Sequence, residues 1–138
     1  MITSAQEFLS LRFSDDPAEY NRAARESAPL EVWLELINDH PEARFWVAHN
    51  KTVPIEVLRL LASDADWRVR SMVASKNKAP ADVLERLSTD EHDAIRQTVA
   101  GHPNTPTETV LSMCDDHWDE IRATARRNLS RRGCMGSS

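Results

Sequence analysis

The sequence predicts an all-α protein, a solenoid of about four two-helix units of 26 residues with a cap at each end. Landmark residues recur at a step of 26: Arg44, Arg70, Arg96 and Arg122; Pro54, Pro80 and Pro106; Leu58, Leu84 and Val110; Asp64, Asp90 and Asp116. A period of that length marks stacked units, none of which buries its apolar face alone. Within each period the apolar residues fall on one face of a 3.6-residue helix. Three glycines and one tyrosine in 138 residues are too few for a turn-rich β-sandwich, and 41% hydrophobic content is too high for a disordered chain.

Residues 3–14 read as an N-terminal cap. Ser4 and Glu7 have capping-box spacing, and Phe8, Leu9, Leu11 and Phe13 are available to cover the first repeat. Repeats follow at about 15–40, 41–66, 67–92 and 93–118. The first is one residue out of step, with Pro29, Trp33, Leu36 and Asp39 followed by a shorter connection to Arg44.

In each unit the first helix is expected to start at the proline, whose fixed φ suits the first helical position, with an acid two places on: Glu31, Glu56, Asp82 and Glu108. Apolar residues then stand three, four and seven places after the proline, as in Val57, Leu58 and Leu61. Trp33 holds a core position in this pattern. The second helix starts at the acidic turn and runs about two turns through segments such as WRVRSMVAS and HDAIRQTVAG. Residues 119–131 form the C-terminal cap helix, and 133–138 a disordered tail. The domain is thus a single solenoid over 1–132.

Segments such as VRSMVASKNKAPADVLERLSTD and IRQTVAGHPNTPTETVLSMCDD resemble the leucine-rich repeat variant family, and the D-x4-V-R element is similar to HEAT repeats. The resemblance covers about residues 15–130 and implies a curved, right-handed helical solenoid. Lys76 and His102 replace the asparagine that Asn50 retains, so less regular turns are expected there. The nitrogenase-linked member of the family holds an iron–sulfur cluster on a cysteine-rich segment that has no counterpart here, so no cofactor is carried over.

Composition narrows the function. A net charge of −5 removes the global attraction to phosphates on which most nucleic-acid binders rely. Cys114 and Cys134 cannot supply a four-ligand metal site, and Cys114 fills a small helical position. His40, His49, His92, His102 and His117 lack metal-ligand spacing, so no metal is expected. No nucleophile–base motif or phosphate loop is present, which argues against an enzyme. There is no signal-peptide pattern and no apolar run long enough to span a bilayer; a cytoplasmic monomer is expected.

The arginine ladder reads as structural, with an aspartate six residues before three of its members and Asp39 five before Arg44. Residues that break the repeat rules are better candidates for function. Phe45 and Trp46 stand where other copies have Ser71, Gln97 or Ala123 and Met72, Thr98 or Thr124, and His49 lies one turn on. Together they are the principal candidate for binding a protein partner, aromatic residues being favoured at interface hot spots. Trp67 and Trp118, in the acidic turns, are secondary. The expected function is a non-catalytic protein–protein scaffold, an adaptor, regulator or immunity-type binder. The alternative is nucleic-acid binding through Arg126, Arg127, Arg131 and Arg132, because HEAT-like solenoids such as the alkylpurine DNA glycosylases cradle DNA on basic surfaces.

Overall fold

The computed structural model describes residues 1–134, and every regular element among them is helical. Its contacts cluster into two compact units, Met1–Val73 and Ala74–Ser138.

The first unit opens with α1 (Ala5–Arg12), α2 (Pro17–Arg25) and α3 (Leu30–Asp39). A single 3₁₀ turn (Pro41–Ala43) leads into α4 (Arg44–His49), followed by α5 (Ile55–Leu61) and α6 (Trp67–Ser75), within which the boundary falls. The Ser4 hydroxyl caps α1 by accepting the Glu7 N–H at 3.1 Å, and the Glu7 carboxylate reaches back to the Thr3 N–H at 2.8 Å. Phe8 and Trp33 meet edge to face at 5.5 Å, both almost fully buried, so α1 closes the core over α3. Phe13 departs from the expected covering role. It is the C-cap residue of α1 and 55% exposed, because the helix ends before its side chain can turn inward.

The second unit contains α7 (Ala81–Leu87), α8 (Asp93–Gly101), α9 (Thr107–Met113) and α10 (Asp119–Arg131). Its core is made by Leu84, Leu87, Ile95, Val99, Val110, Ile121 and Leu129, with α10 against both α8 and α9. A Cβ on Gly101 would lie 3.2 Å from the Thr124 methyl, so the missing side chain lets α8 and α10 approach closely. Each buried leucine contributes about 2 kcal/mol of transfer free energy.

The repeated prolines sit one place earlier than the sequence suggests. Pro54, Pro80 and Pro106 are N-cap residues with ψ of 153°, 158° and 142°, and the first helical residue is the next one. An extended ψ lets the proline carbonyl start the helical ladder, as where Pro54 O accepts from Val57 at 3.0 Å. Gly133 and Cys134, expected in a disordered tail, instead terminate α10. Gly133 takes φ +78°, and Cys134 N–H donates to Leu129 O at 2.9 Å while Gly133 N–H donates to Ser130 O at 3.0 Å. That is a Schellman closure, which needs a residue tolerant of positive φ. Residues 135–138 of the same expectation lie outside the described residues.

Candidate functional site

The acidic turns are organised by the repeated arginine and aspartate together. Asp64, Asp90 and Asp116 each accept a backbone N–H two residues on through Oδ1, at 2.9–3.0 Å, fixing the turn that starts the second helix. Arg70, Arg96 and Arg122 then donate Nη1 to the main-chain carbonyl of the aspartate six residues earlier, at 2.7–2.8 Å. The aspartate carboxylate also serves the arginine 20 residues before it, near the start of the same repeat: Arg44 Nη1 reaches Asp64 at 3.4 Å, and Arg96 Nε reaches Asp116 at 2.9 Å. Arg44 follows the shorter first connection and donates Nε to Ile37 O at 2.7 Å, in place of the expected Asp39. Arg122 pairs with Asp119 on its own helix.

The Arg96 and Asp116 side chains are both only 8% exposed. Burial alone would raise the Asp116 pKa, but the Trp118 N–H and the Arg96 guanidinium outweigh it and hold the carboxyl below its ordinary value. These arginines therefore hold repeats together, and little of them remains for a ligand.

A second stitch runs along the opposite loops. Asn50 Nδ2 donates to Ala23 O at 2.7 Å and Glu26 O at 3.0 Å, while its Oδ1 accepts from Thr52 N–H and Oγ1–H, both at 2.7 Å. His102 reproduces this with a ring: Nδ1 accepts the Asn104 N–H at 3.0 Å and Nε2 meets Lys76 O at 2.8 Å, which places the hydrogen on Nε2. The turn at His102 is thus regular, because imidazole offers the same acceptor and donor as a carboxamide. Asn128, 26 residues further, donates to Ala100 O at 2.8 Å and His102 O at 3.3 Å. Its membership of the series is legible in the sequence only by counting one more step from His102.

Two kinds of concavity recur at equivalent repeat positions. A groove of about 770 Å³ in the second unit lies among turn residues including Asp90, Arg96, Asp115, Asp116 and Trp118. Its counterpart two repeats earlier, about 320 Å³, is lined by Arg44, Leu60, Asp64 and their neighbours. The other concavity is a hollow lined by second helices and the turns before them. In the first unit it is lined by Pro41, Glu42, Phe45, Trp46, Asp66, Arg68 and Val69 and measures about 380 Å³. In the second unit Asp93, Ala94, Gln97, Trp118, Glu120 and Ile121 enclose about 290 Å³. Each of these six stands 52 residues after a member of the first set.

Of the five residues singled out in sequence for partner binding, Phe45, Trp46 and Trp118 line these hollows, and His49 and Trp67 do not. Phe45 and Trp46 are half-buried and line the first; their rings meet edge to face at 4.9 Å, and the exposed His49 stacks on Phe45 at 6.5 Å. Trp46 also carries the Arg12 guanidinium over its face, 3.4 Å from the ring centroid, with Tyr20 at 5.6 Å from the same guanidinium. Part of that indole therefore anchors α1, leaving Phe45 as the side chain freer to meet a partner. Trp118, 49% exposed, lines both the groove and the hollow of the second unit. Trp67 is 43% exposed but lines neither hollow. Sequence reasoning did not find Asp93, Gln97, Glu120 or Arg68, since single polar residues on a helix surface carry no signal until the hollow is seen.

The C-terminal arginines divide. Arg132 is committed to Asn128 Oδ1, Thr107 Oγ1 and the carbonyls of His102 and Pro103, at 2.9–3.2 Å. Arg127 reaches Thr124 Oγ1 at 3.0 Å, and Arg126, Arg127 and Arg131 are exposed. Cys114 is half-buried, its thiol 3.6 Å from Val110 O. Among the described residues no group of three or more His, Cys, Asp or Glu is arranged to hold a metal ion, and no helix is long and apolar enough to cross a membrane.

Residues 67–92 match the family model described as leucine rich repeat variant. The match spans one 26-residue period, in register with the landmarks on either side. No curated protein and no solved structure matches the chain.

Proposed function

We propose that this chain, with its leucine rich repeat variant unit at residues 67–92, is a non-catalytic protein-binding scaffold. The 26-residue register, out of step by one residue in the first repeat, supports about four stacked two-helix repeats, and the resemblance to the leucine-rich repeat variant family implies a right-handed solenoid. The observation that carries the function is the recurrence of one open hollow at the same repeat positions, lined by residues that depart from the repeat rules. Repeated positions are occupied by core and stitching residues; the hollow positions vary freely, as Phe45 against Gln97 and Asp66 against Trp118 illustrate. Repeat proteins of this construction keep a common frame and change partner by changing such positions.

A pull-down from native lysate at near-physiological salt tests the reading, with wild type beside Phe45→Ala and each arm run with and without nuclease. A discrete protein held by wild type, lost with Phe45→Ala and indifferent to nuclease is the expected result. Capture that nuclease abolishes would transfer the function to the exposed arginines Arg126, Arg127 and Arg131.

A further inference from the structure

We infer that the hollow of the second unit is a receptor for a guanidinium, the side chain of an arginine on a partner protein. This inference rests on the protein-binding reading above and specifies what that part of the surface accepts. Four features of the hollow lead to it.

Its lining contains two exposed carboxylates, Asp93 and Glu120, and no cation. Trp118 contributes a half-exposed indole, the aromatic whose face attracts a cation most strongly. Gln97 donates Nε2 to Thr124 Oγ1 at 2.7 Å, yet its Oε1 is buried and accepts no hydrogen bond. An acceptor left without a donor is costly, and a small turn of the Gln97 carboxamide toward the hollow would offer it to a guanidinium, which brings five N–H donors.

The fourth feature is internal to the chain. The equivalent hollow in the first unit already has a guanidinium in its lining, that of Arg68, held by Asp66 through Nε at 3.2 Å and Nη2 at 3.1 Å. In the second unit Glu120 stands at the position of Arg68 and Trp118 at that of Asp66. Compared with the first hollow, the second carries a carboxylate where the first carries a cation, and its aromatic face is Trp118 in place of Phe45 and Trp46. Arginine fits better than lysine, because a planar fork can stack on the indole while donating to carboxylate and carboxamide oxygens together.

The test uses the full chain, ¹⁵N-labelled, at low ionic strength. A short blocked peptide, Gly-Arg-Gly, is titrated beside its lysine and citrulline analogues, and the Trp118 indole N–H and the Ala94 and Ile121 amides are followed. The expected result is saturable shifts at these three sites with a dissociation constant on the order of 1 mM for the arginine peptide. Binding should be weakened about tenfold in Glu120→Gln, unchanged in Glu108→Gln on α9, and lost with citrulline. Absence of shifts at the three sites, equal shifts with the lysine peptide, or equal weakening by Glu108→Gln would each overturn the inference. Its failure is separable from that of the scaffold reading. Capture lost in Phe45→Ala with no arginine-peptide binding sinks only the receptor, while specific arginine binding without any captured protein supports the receptor and sinks the scaffold.

Discussion

Asn50, His102 and Asn128 show how one side chain can tie two repeats by meeting main-chain groups of the preceding one. Asn50 is fully buried and satisfies four partners, so Asn50→Ala strands several polar groups at once and is expected to cost about 3 kcal/mol in urea unfolding. His102→Asn should stay within about 1 kcal/mol of wild type, whereas His102→Ala should lose about 2 kcal/mol; equal losses would deny the mimicry. The nearly buried Arg96–Asp116 pair makes a sharper case. Arg96→Ala leaves the Asp116 carboxylate without its cation and is expected to cost about 3 kcal/mol, against about 1 kcal/mol for Arg44→Ala, whose pair is longer and more open. Since the Asp116 pKa is depressed by folding, its contribution is complete above the unfolded carboxylate value of about 4 and disappears as pH falls through the lower folded value. Asp116→Asn should therefore flatten the acid limb of a stability–pH curve below about pH 4 and leave its neutral slope unchanged. At this scale the sequence announced that Arg and Asp belong together, through their constant spacing. It could not say that the aspartate 20 residues on supplies the carboxylate while the one six residues back supplies a carbonyl, because that choice depends on how turns stack.

The helices follow from proline, acid and apolar spacing with a shift of one residue at the prolines. Leu84→Ala, which empties a fully buried position on α7, should cost about 3 kcal/mol, the usual range for a leucine truncated in a close-packed core. The docking of α1 was legible only in part. Ser4, Glu7 and Phe8 take the expected places, but the Arg12 contact to Trp46 joins residues 34 apart with no motif between them. A double-mutant cycle of Arg12→Ala and Trp46→Ala is expected to give a coupling of about 1 kcal/mol, and additive losses would show that the indole acts through packing alone. Trp46 therefore suits a binding assay poorly as a lone probe, and Phe45 suits it better. The close of α10 depends on Gly133, whose conformation only a glycine takes without strain, and nothing in the chemistry of the preceding arginines foretold it.

For the molecule as a whole, the register of 26 was readable without coordinates, since repetition turns weak local signals into a strong one. The hollows were not, because their lining residues come from two successive repeats, and of them only Phe45, Trp46 and Trp118 stand out in the sequence. With net charge −5 and Arg132 bound to its own chain, wild type is expected to show no salt-dependent affinity for duplex DNA in fluorescence anisotropy at low ionic strength. The placement of a carboxylate 20 residues after its arginine, inside one period, also bears on how such a chain can change length. Excising residues 93–118 removes Arg96 and Asp116 together and sets Asp90 six places before Arg122, so the splice restores the original spacing and orphans neither charge. The shortened protein should keep its helicity per residue by circular dichroism while melting lower. A cut of half that length would leave misaligned acids and bases at the join. Whole periods are therefore the lengths by which this chain can gain or lose repeats, each copied repeat bringing along both its arginine and the carboxylate that meets it.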